Sequence, residues 1–188
     1  MGTWDDVWKE QPKKNFYDWL ILKLLVKDLE KILKKQKPEK ILVVGCGRGD
    51  TFATLKEKGF QNIKGIDYSM KSVKLCQQKG LDVAFRSAEK IPFADNSFDM
   101  VLAEDCIPFV KDLDKATGEF SRVSEKSLVI IPNYSSLITK FTRRISKILP
   151  DYHDKKIENI EASFQKNNSK LADMIRKRNS IFLVFQRV

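Results

Sequence analysis

The sequence predicts an α/β fold, a doubly wound and mostly parallel sheet, on three observations. The run Ile41-Leu42-Val43-Val44 is aliphatic at every position, as a strand buried on both faces of a parallel sheet requires. It breaks at Gly45-Cys46-Gly47-Arg48-Gly49 and passes directly into a helical stretch, Asp50 to Lys58, closed by Gly59. From there to residue 132, short apolar runs alternate with helix-patterned segments, the spacing of strand–helix–strand units.

Each element has its own signal. Trp4, Val7, Trp8 and Pro12 suggest an N-terminal arm that packs back on the domain. Residues 15 to 36 place Phe16, Leu20, Leu24, Leu25, Leu29, Ile32 and Leu33 at helical spacing, with Asn15 as the cap and Pro38 as the stop. A second strand is expected over Asn62 to Asp67. Ser69 then caps a helix over Met70 to Lys79, and Gly80 ends it. Asp82 to Arg86 reads as a third strand, followed by a loop that Pro92 and Asp95-Asn96-Ser97 punctuate. Phe98 to Ala103 is the fourth strand, Asp112 to Ser124 a helix, and Ser127 to Ile131 a fifth strand stopped by Pro132. Beyond it, Ser135 to Leu149 and Ile157 to Arg178 look helical, and Ile181 to Val188 is a final strand. With one clear strand after residue 135, the C-terminal strand set is either shortened or hides a strand inside a helical-looking segment.

A chain of 188 residues fits one domain. Residues 1–37 form an arm and helix, 38–132 the core, and 133–188 a basic C-terminal region with the last strand. A hydrophobic fraction of 42% with 32% charged residues is that of a globular chain. Phe16 to Val26 is too short and too charged to cross a bilayer, and no signal peptide is visible. The three cysteines (Cys46, Cys76, Cys106) are odd in number and lack metal-ligand spacing; buried thiols in a reducing, cytoplasmic setting and no metal are expected. Residues 140–188 carry twelve Lys/Arg against five acids, so +7 of the net charge of +10 lies there. Such a segment can attract an anionic substrate, nucleic acid or a membrane surface. A solvated helix face fits better, because no aromatic residues interleave the charges as in single-strand binders.

Ligands of open parallel sheets bind beyond the carboxyl ends of the strands. Three such ends are polar here: the glycine turn, Asp67, and Glu104-Asp105. The turn does not suit a dinucleotide, whose Gly-x-Gly-x-x-Gly pattern would need glycine where Asp50 stands. Asp67 lies 18 residues beyond Gly49, where a carboxylate can accept bonds from both hydroxyls of a ribose. Glu104 and Asp105 are candidate bases by position. His153, the single histidine, sits between Asp151 and Asp154 in a charged loop and reads as a surface residue.

Four stretches in order carry a wider resemblance: Ile41 to Gly49, Gly65-Ile66-Asp67-Tyr68-Ser69, Ala88-Glu89-Lys90-Ile91-Pro92-Phe93, and Asn96-Ser97-Phe98-Asp99-Met100-Val101. Together with Glu119, Arg122 and Val123, they resemble the successive motifs of the type 11 class I S-adenosylmethionine-dependent methyltransferases, a Rossmann-like fold, over roughly residues 38 to 132. The resemblance implies S-adenosyl-L-methionine as cofactor. Gly45, Cys46, Gly47 and Gly49 would form the turn at its methionine part, and Asp67 would hold the ribose. Tyr68 would lie beside the adenine with Ser87 and Ala88 at its edge, and Glu104 would begin the loop facing the methionine part and the acceptor. The chain departs from the family at Val43 and Ser87, where acids are common, and at Glu125-Lys126-Ser127, where the family usually has a Pro-Gly-Gly turn. The expected activity is methyl transfer to a small molecule, with Glu104 or Asp105 as base. RNA methylation through the basic residues 140–188 and a non-catalytic binding protein with this fold are the alternatives.

Overall fold

The computed structural model describes residues 16–132 and 156–188. Its elements are α1 (Phe16–Gln36), β1 (Ile41–Val44), α2 (Asp50–Glu57), β2 (Ile63–Asp67), α3 (Met70–Gln78), β3 (Val83–Phe85), β4 (Phe98–Glu104), α4 (Leu113–Val123), β5 (Ser124–Pro132), α5 (Ile157–Lys166), β6 (Ser169–Arg176) and β7 (Ser180–Arg187). The strands form one seven-stranded sheet in the order β3-β2-β1-β4-β5-β7-β6. β1 to β5 run parallel, and β7 enters antiparallel between β5 and β6. The doubly wound, mostly parallel sheet is as expected, and the order reverses between β1 and β4, where a ligand crevice opens.

Of the two C-terminal alternatives the hidden strand is the one found, and the helix expected over residues 157 to 178 is corrected. The strand set is complete, and the segment expected to be helical over residues 157 to 178 divides into α5 and β6. Asn167 closes the helix and Asn168 turns the chain at a positive φ of 54°, a conformation asparagine tolerates better than most residues. Lys170, Leu171, Ala172, Asp173 and Met174 have little intrinsic strand preference. Their pairing with β7, interrupted by a bulge between Leu171 and Asp173, overrides it. β5 also starts earlier than expected, at Ser124. The segments 1–15 and 133–155, with the N-terminal arm, the helix expected over Ser135 to Leu149, and His153, lie outside the described residues.

The sheet separates two apolar layers, and the alternation of side chains along β1 assigns its residues to them. Ile41 and Val43 pack with Leu29 and Leu33 of α1, Phe52 and Leu55 of α2, and Val73 of α3. Leu42 and Val44 face the other way, in a layer with Phe120 of α4 and Phe164 of α5. All four β1 residues are buried, which accounts for the unbroken aliphatic run. Ser69 caps α3 by accepting from Ser72 N at 3.2 Å, and Asp112 caps α4 by accepting from Lys115 N at 3.0 Å. Among the described residues no helix is long and apolar enough to cross a membrane.

Candidate active site

A cleft of about 510 Å³ opens at the carboxyl ends of β1, β2, β3 and β4. Its floor is the turn after β1. Gly45 has φ of +77°, its N–H donates to Ile66 O at 2.9 Å, and a Cβ added to it would lie 2.5 Å from Cys106 Cβ. Only glycine fits there, and its bareness keeps backbone exposed to a ligand. Gly47, at φ +52°, donates its N–H to Asp67 Oδ2 at 2.8 Å. Asp67 Oδ1 accepts from Ser69 N at 2.8 Å. The Asp67 carboxylate thus ties the glycine turn to the start of α3.

The sequence-predicted residues divide between cleft and scaffold. Gly45, Gly47, Asp67, Tyr68, Ser87, Ala88, Glu104 and Asp105 line the cleft. Cys46 and Gly49 do not. The Cys46 sulfur packs so closely against Gly65 that a Cβ there would approach it to 2.5 Å, and its thiol donates to Val43 O at 3.5 Å. Gly49 packs against Leu81 and Cys76, leaving no room for a side chain. Both shape the turn from behind. Tyr68 stands at the rim, 60% exposed, with its ring stacked 5.7 Å from that of Phe85. Ser87 Oγ accepts from Glu89 N at 3.1 Å.

The remaining wall is built by residues that sequence reasoning missed. Glu89 Oε1 accepts from Lys111 N at 2.8 Å and Asp112 N at 3.1 Å, joining the loop after β3 to the loop after β4. Phe109, Val110 and Lys111 complete that side, following a short 3-10 turn over Ile107–Phe109. The partners of Glu89 lie 22 and 23 residues away, so no local spacing announces them. Phe109 was within reach, because the position after the fourth strand already marks its loop.

Electrostatics distinguish the acids. Burial pushes the Glu104 carboxyl up to about 7, the nearby Asp50 charge adding to this and a hydrogen bond from Thr51 opposing it. Asp105 is raised as well, by burial and then by the Glu104 charge, although it stands at the exposed lip of the cleft. Asp50 itself turns away to accept from Lys79 Nζ at 2.9 Å. The thiols are held protonated: burial and then the Asp67 charge raise Cys46 and lift Cys76 to about 11, while burial and then the Asp105 charge raise Cys106. None is an activated nucleophile. Among the described residues no cluster of three or more potential metal ligands occurs.

Comparison with known proteins follows the same outline. Residues 42–130 match the family model described as a methyltransferase domain, type 11. Ajmaline N-methyltransferase of Rauvolfia serpentina is 34% identical over 105 residues, 52% of this chain and 36% of that protein. The ubiquinone/menaquinone biosynthesis C-methyltransferase of Campylobacter jejuni is 31% identical over 117 residues, 58% of this chain and 47% of that protein. The matched stretch therefore spans less than half the length of either relative. Among solved structures, a protein of Pyrococcus horikoshii superposes with a TM-score of 0.73 at 18% identity, covering 93% of both chains. Magnesium protoporphyrin IX methyltransferase of Synechocystis, solved with S-adenosylhomocysteine bound, gives 0.67 at 17% identity, covering 95% of this chain and 90% of that one. The strand order and the glycine turn give this chain the fold of these methyltransferases, and the methyltransferase-domain match covers residues 42–130, just under half of it.

Proposed function

We propose that this chain is an enzyme that transfers a methyl group from S-adenosylmethionine to a small-molecule acceptor. One observation carries the reading: a cleft whose floor is bare glycine backbone, latched to the Asp67 carboxylate at the end of the neighbouring strand. The residues present fit the cofactor. Gly45 and Gly47 bring bare backbone to the cleft, Asp67 lines it beside them with a carboxylate of the kind that accepts from ribose hydroxyls, and Tyr68, Ser87 and Ala88 offer an adenine a ring and a polar edge. When bound, the cofactor supplies a methyl group on a sulfonium sulfur. The protein's contribution is chiefly to position the acceptor and to keep water away.

Val43 is buried in the core and cannot serve a cationic amino group. Glu104 takes that task in our assignment, from the end of β4 and steadied by Thr51. We assign residues 38–132 to cofactor binding and 133–188 to the acceptor side of a single domain. The names of the relatives above, N- and C-methyltransferases, support a small acceptor. RNA is less favoured, because several basic residues of the C-terminal segment are engaged within the protein. Lys166 pairs with Asp114 at 2.8 Å, Lys177 with Asp28 at 3.5 Å, and Arg187 donates to Ser121 O at 2.9 Å.

Calorimetric titration with S-adenosylmethionine and, separately, with NAD tests the reading. Saturable binding of the first alone, weakened at least tenfold in a folded Asp67→Asn variant, is the expected result. Absence of binding by a folded protein would overturn it. Binding of the cofactor with no transfer to any acceptor would favour the non-catalytic reading, and RNA binding that falls steeply with salt would favour RNA methylation.

A further inference from the structure

Two walls of the cleft rise from strands that do not touch. Ser87, Ala88 and Glu89 follow β3, whereas Phe109, Val110 and Lys111 follow β4. β2 and β1 lie between those strands, so their ends stand three strand spacings, about 14 Å, apart. The ladders fix the strands but not the loops beyond them. One side chain spans the gap: Glu89 Oε1 accepts from Lys111 N at 2.8 Å and Asp112 N at 3.1 Å. Both amides immediately precede α4, where the partial positive charge of a helix N-terminus favours an anion. The arm that carries this carboxylate is itself held. Glu89 N donates to Ser87 Oγ at 3.1 Å and Lys90 N to Ser87 O at 3.2 Å. Two residues on, Ile91 N donates to Glu119 Oε2 at 2.6 Å and Ile91 O accepts from Arg122 at 2.9 Å. The loop after β3 is thus tied to α4 twice, through Glu119 and Arg122 in its C-terminal half and through Glu89 ahead of its first turn.

We propose that Glu89 is a positioning residue of this cleft: by gripping the Lys111 and Asp112 amides it holds the wall after β4 against Ser87 and Ala88, and so sets the width open to the cofactor. The proposal rests on the methyltransferase reading. Glu89 acts through the backbone it holds and takes no part in the methyl transfer. Bonds to a charged oxygen are about twice as strong as neutral ones. Two of them on one oxygen fix the direction of the loop as well as its distance. The length of the side chain is therefore what the site requires. Glutamine keeps that length and an oxygen acceptor but gives up the charge. Aspartate keeps the charge and ends one methylene short, so it reaches the two amides only by moving a wall. Alanine leaves both amides without their acceptor and frees the wall to shift. A millimetre-scale analogy is unnecessary: displacements near 1 Å in a binding wall are enough to weaken a fitted ligand.

The test uses the full chain and the variants Glu89→Gln, Glu89→Asp and Glu89→Ala. Thr117→Val is the control, since it breaks a buried bond to Ser163 at 2.8 Å outside the cleft. Calorimetry at 15 °C measures S-adenosylhomocysteine binding to each variant that circular dichroism shows to be folded. Hydrogen exchange follows the Lys111 and Asp112 amides. Glu89→Gln should bind within threefold of wild type, Glu89→Asp at least fivefold more weakly and Glu89→Ala at least tenfold more weakly. Exchange at the two amides should rise in the same order. Thr117→Val should melt earlier yet bind within twofold of wild type, which separates position from stability. Four results would each overturn the positioning role and leave the methyltransferase reading standing. They are wild-type affinity in Glu89→Ala, Glu89→Asp binding better than Glu89→Gln, weakened binding with unchanged exchange at the two amides, and Thr117→Val weakened as much as Glu89→Ala. The glutamine and aspartate variants decide the matter if the alanine variant does not fold. A folded wild type that binds no S-adenosylhomocysteine would overturn both.

Discussion

Gly45 and Glu104 show how much single positions carry. At Gly45 the positive φ and the closeness of Cys106 act together, so Gly45→Ala should cost about 2–4 kcal/mol in strain and displaced packing. It should also abolish cofactor binding. Gly80→Ala is the matched control: φ is +71° but nothing lies within 4 Å, so about 1 kcal/mol is expected, with binding intact. Urea unfolding and calorimetry on both variants separate strain from loss of the cradle. Glu104 makes a pH prediction. Its carboxyl is raised in the folded state from 4.5 to about 7. The stability it contributes is therefore fully present below the unfolded value and lost as pH rises through about 7. Glu104→Gln should be more stable than wild type at pH 8.5 by about 1–2 kcal/mol, and the difference should vanish near pH 4.5. A constant difference across that range would remove the case for a perturbed Glu104.

At the scale of elements, Arg122 of α4 fastens the loop before β4. It donates to Ile91 O at 2.9 Å and Phe93 O at 2.8 Å, and it pairs with Glu119 and Asp95. Glu119 in turn accepts from Ile91 N at 2.6 Å. Arg122→Ala leaves several of these groups unpaired, at an expected cost of about 2–3 kcal/mol. Arg122→Lys should recover less than half, since an ammonium cannot bridge the same set of acceptors. The urea midpoint checks both. This network also marks what was legible in the sequence. Glu119, Arg122 and Val123 could be placed on a helix by pattern, and strands β1 to β5 by their aliphatic runs. The Arg122 partners Ile91, Phe93 and Asp95 lie 27 to 31 residues away in a loop, beyond any local periodicity. The glycine turn and Asp67 were readable because backbone demands there restrict residue type. Cys46 and Gly49 were assigned to the ligand because sequence marks a turn but not which of its residues face outward. β6 was missed for the opposite reason: its residues have little strand preference of their own, and pairing with β7 decides their conformation.

For the molecule as a whole, α5, β6 and β7 complete the sheet beyond β5. β7 pairs with β5 along seven residues, Lys126 to Pro132, and α5 covers the result. Phe164 of α5 stacks on Phe185 of β7 with ring centres 3.8 Å apart and lies 6.4 Å from Phe120 of α4; all three are fully buried. A polar seam beside them joins the two helices: Thr117 bonds to Ser163 at 2.8 Å, and Asn167 donates to Thr117 at 3.0 Å. Phe164→Ala removes a ring from this junction and leaves a cavity that the seam prevents from collapsing, so about 3–5 kcal/mol should be lost. The cleft is built from the ends of β1 to β4 and the loops after them, and none of its lining residues belongs to α5, β6 or β7. If the fold transmits packing only through direct contact, the variant should melt well below wild type. At 15 °C, where it is still folded, it should bind S-adenosylmethionine within twofold of the wild-type affinity. A parallel fall in affinity at that temperature would mean that the C-terminal unit sets the shape of the cleft through β5 and β4. In that case the cofactor half could not be treated as independent of the strands that complete the sheet.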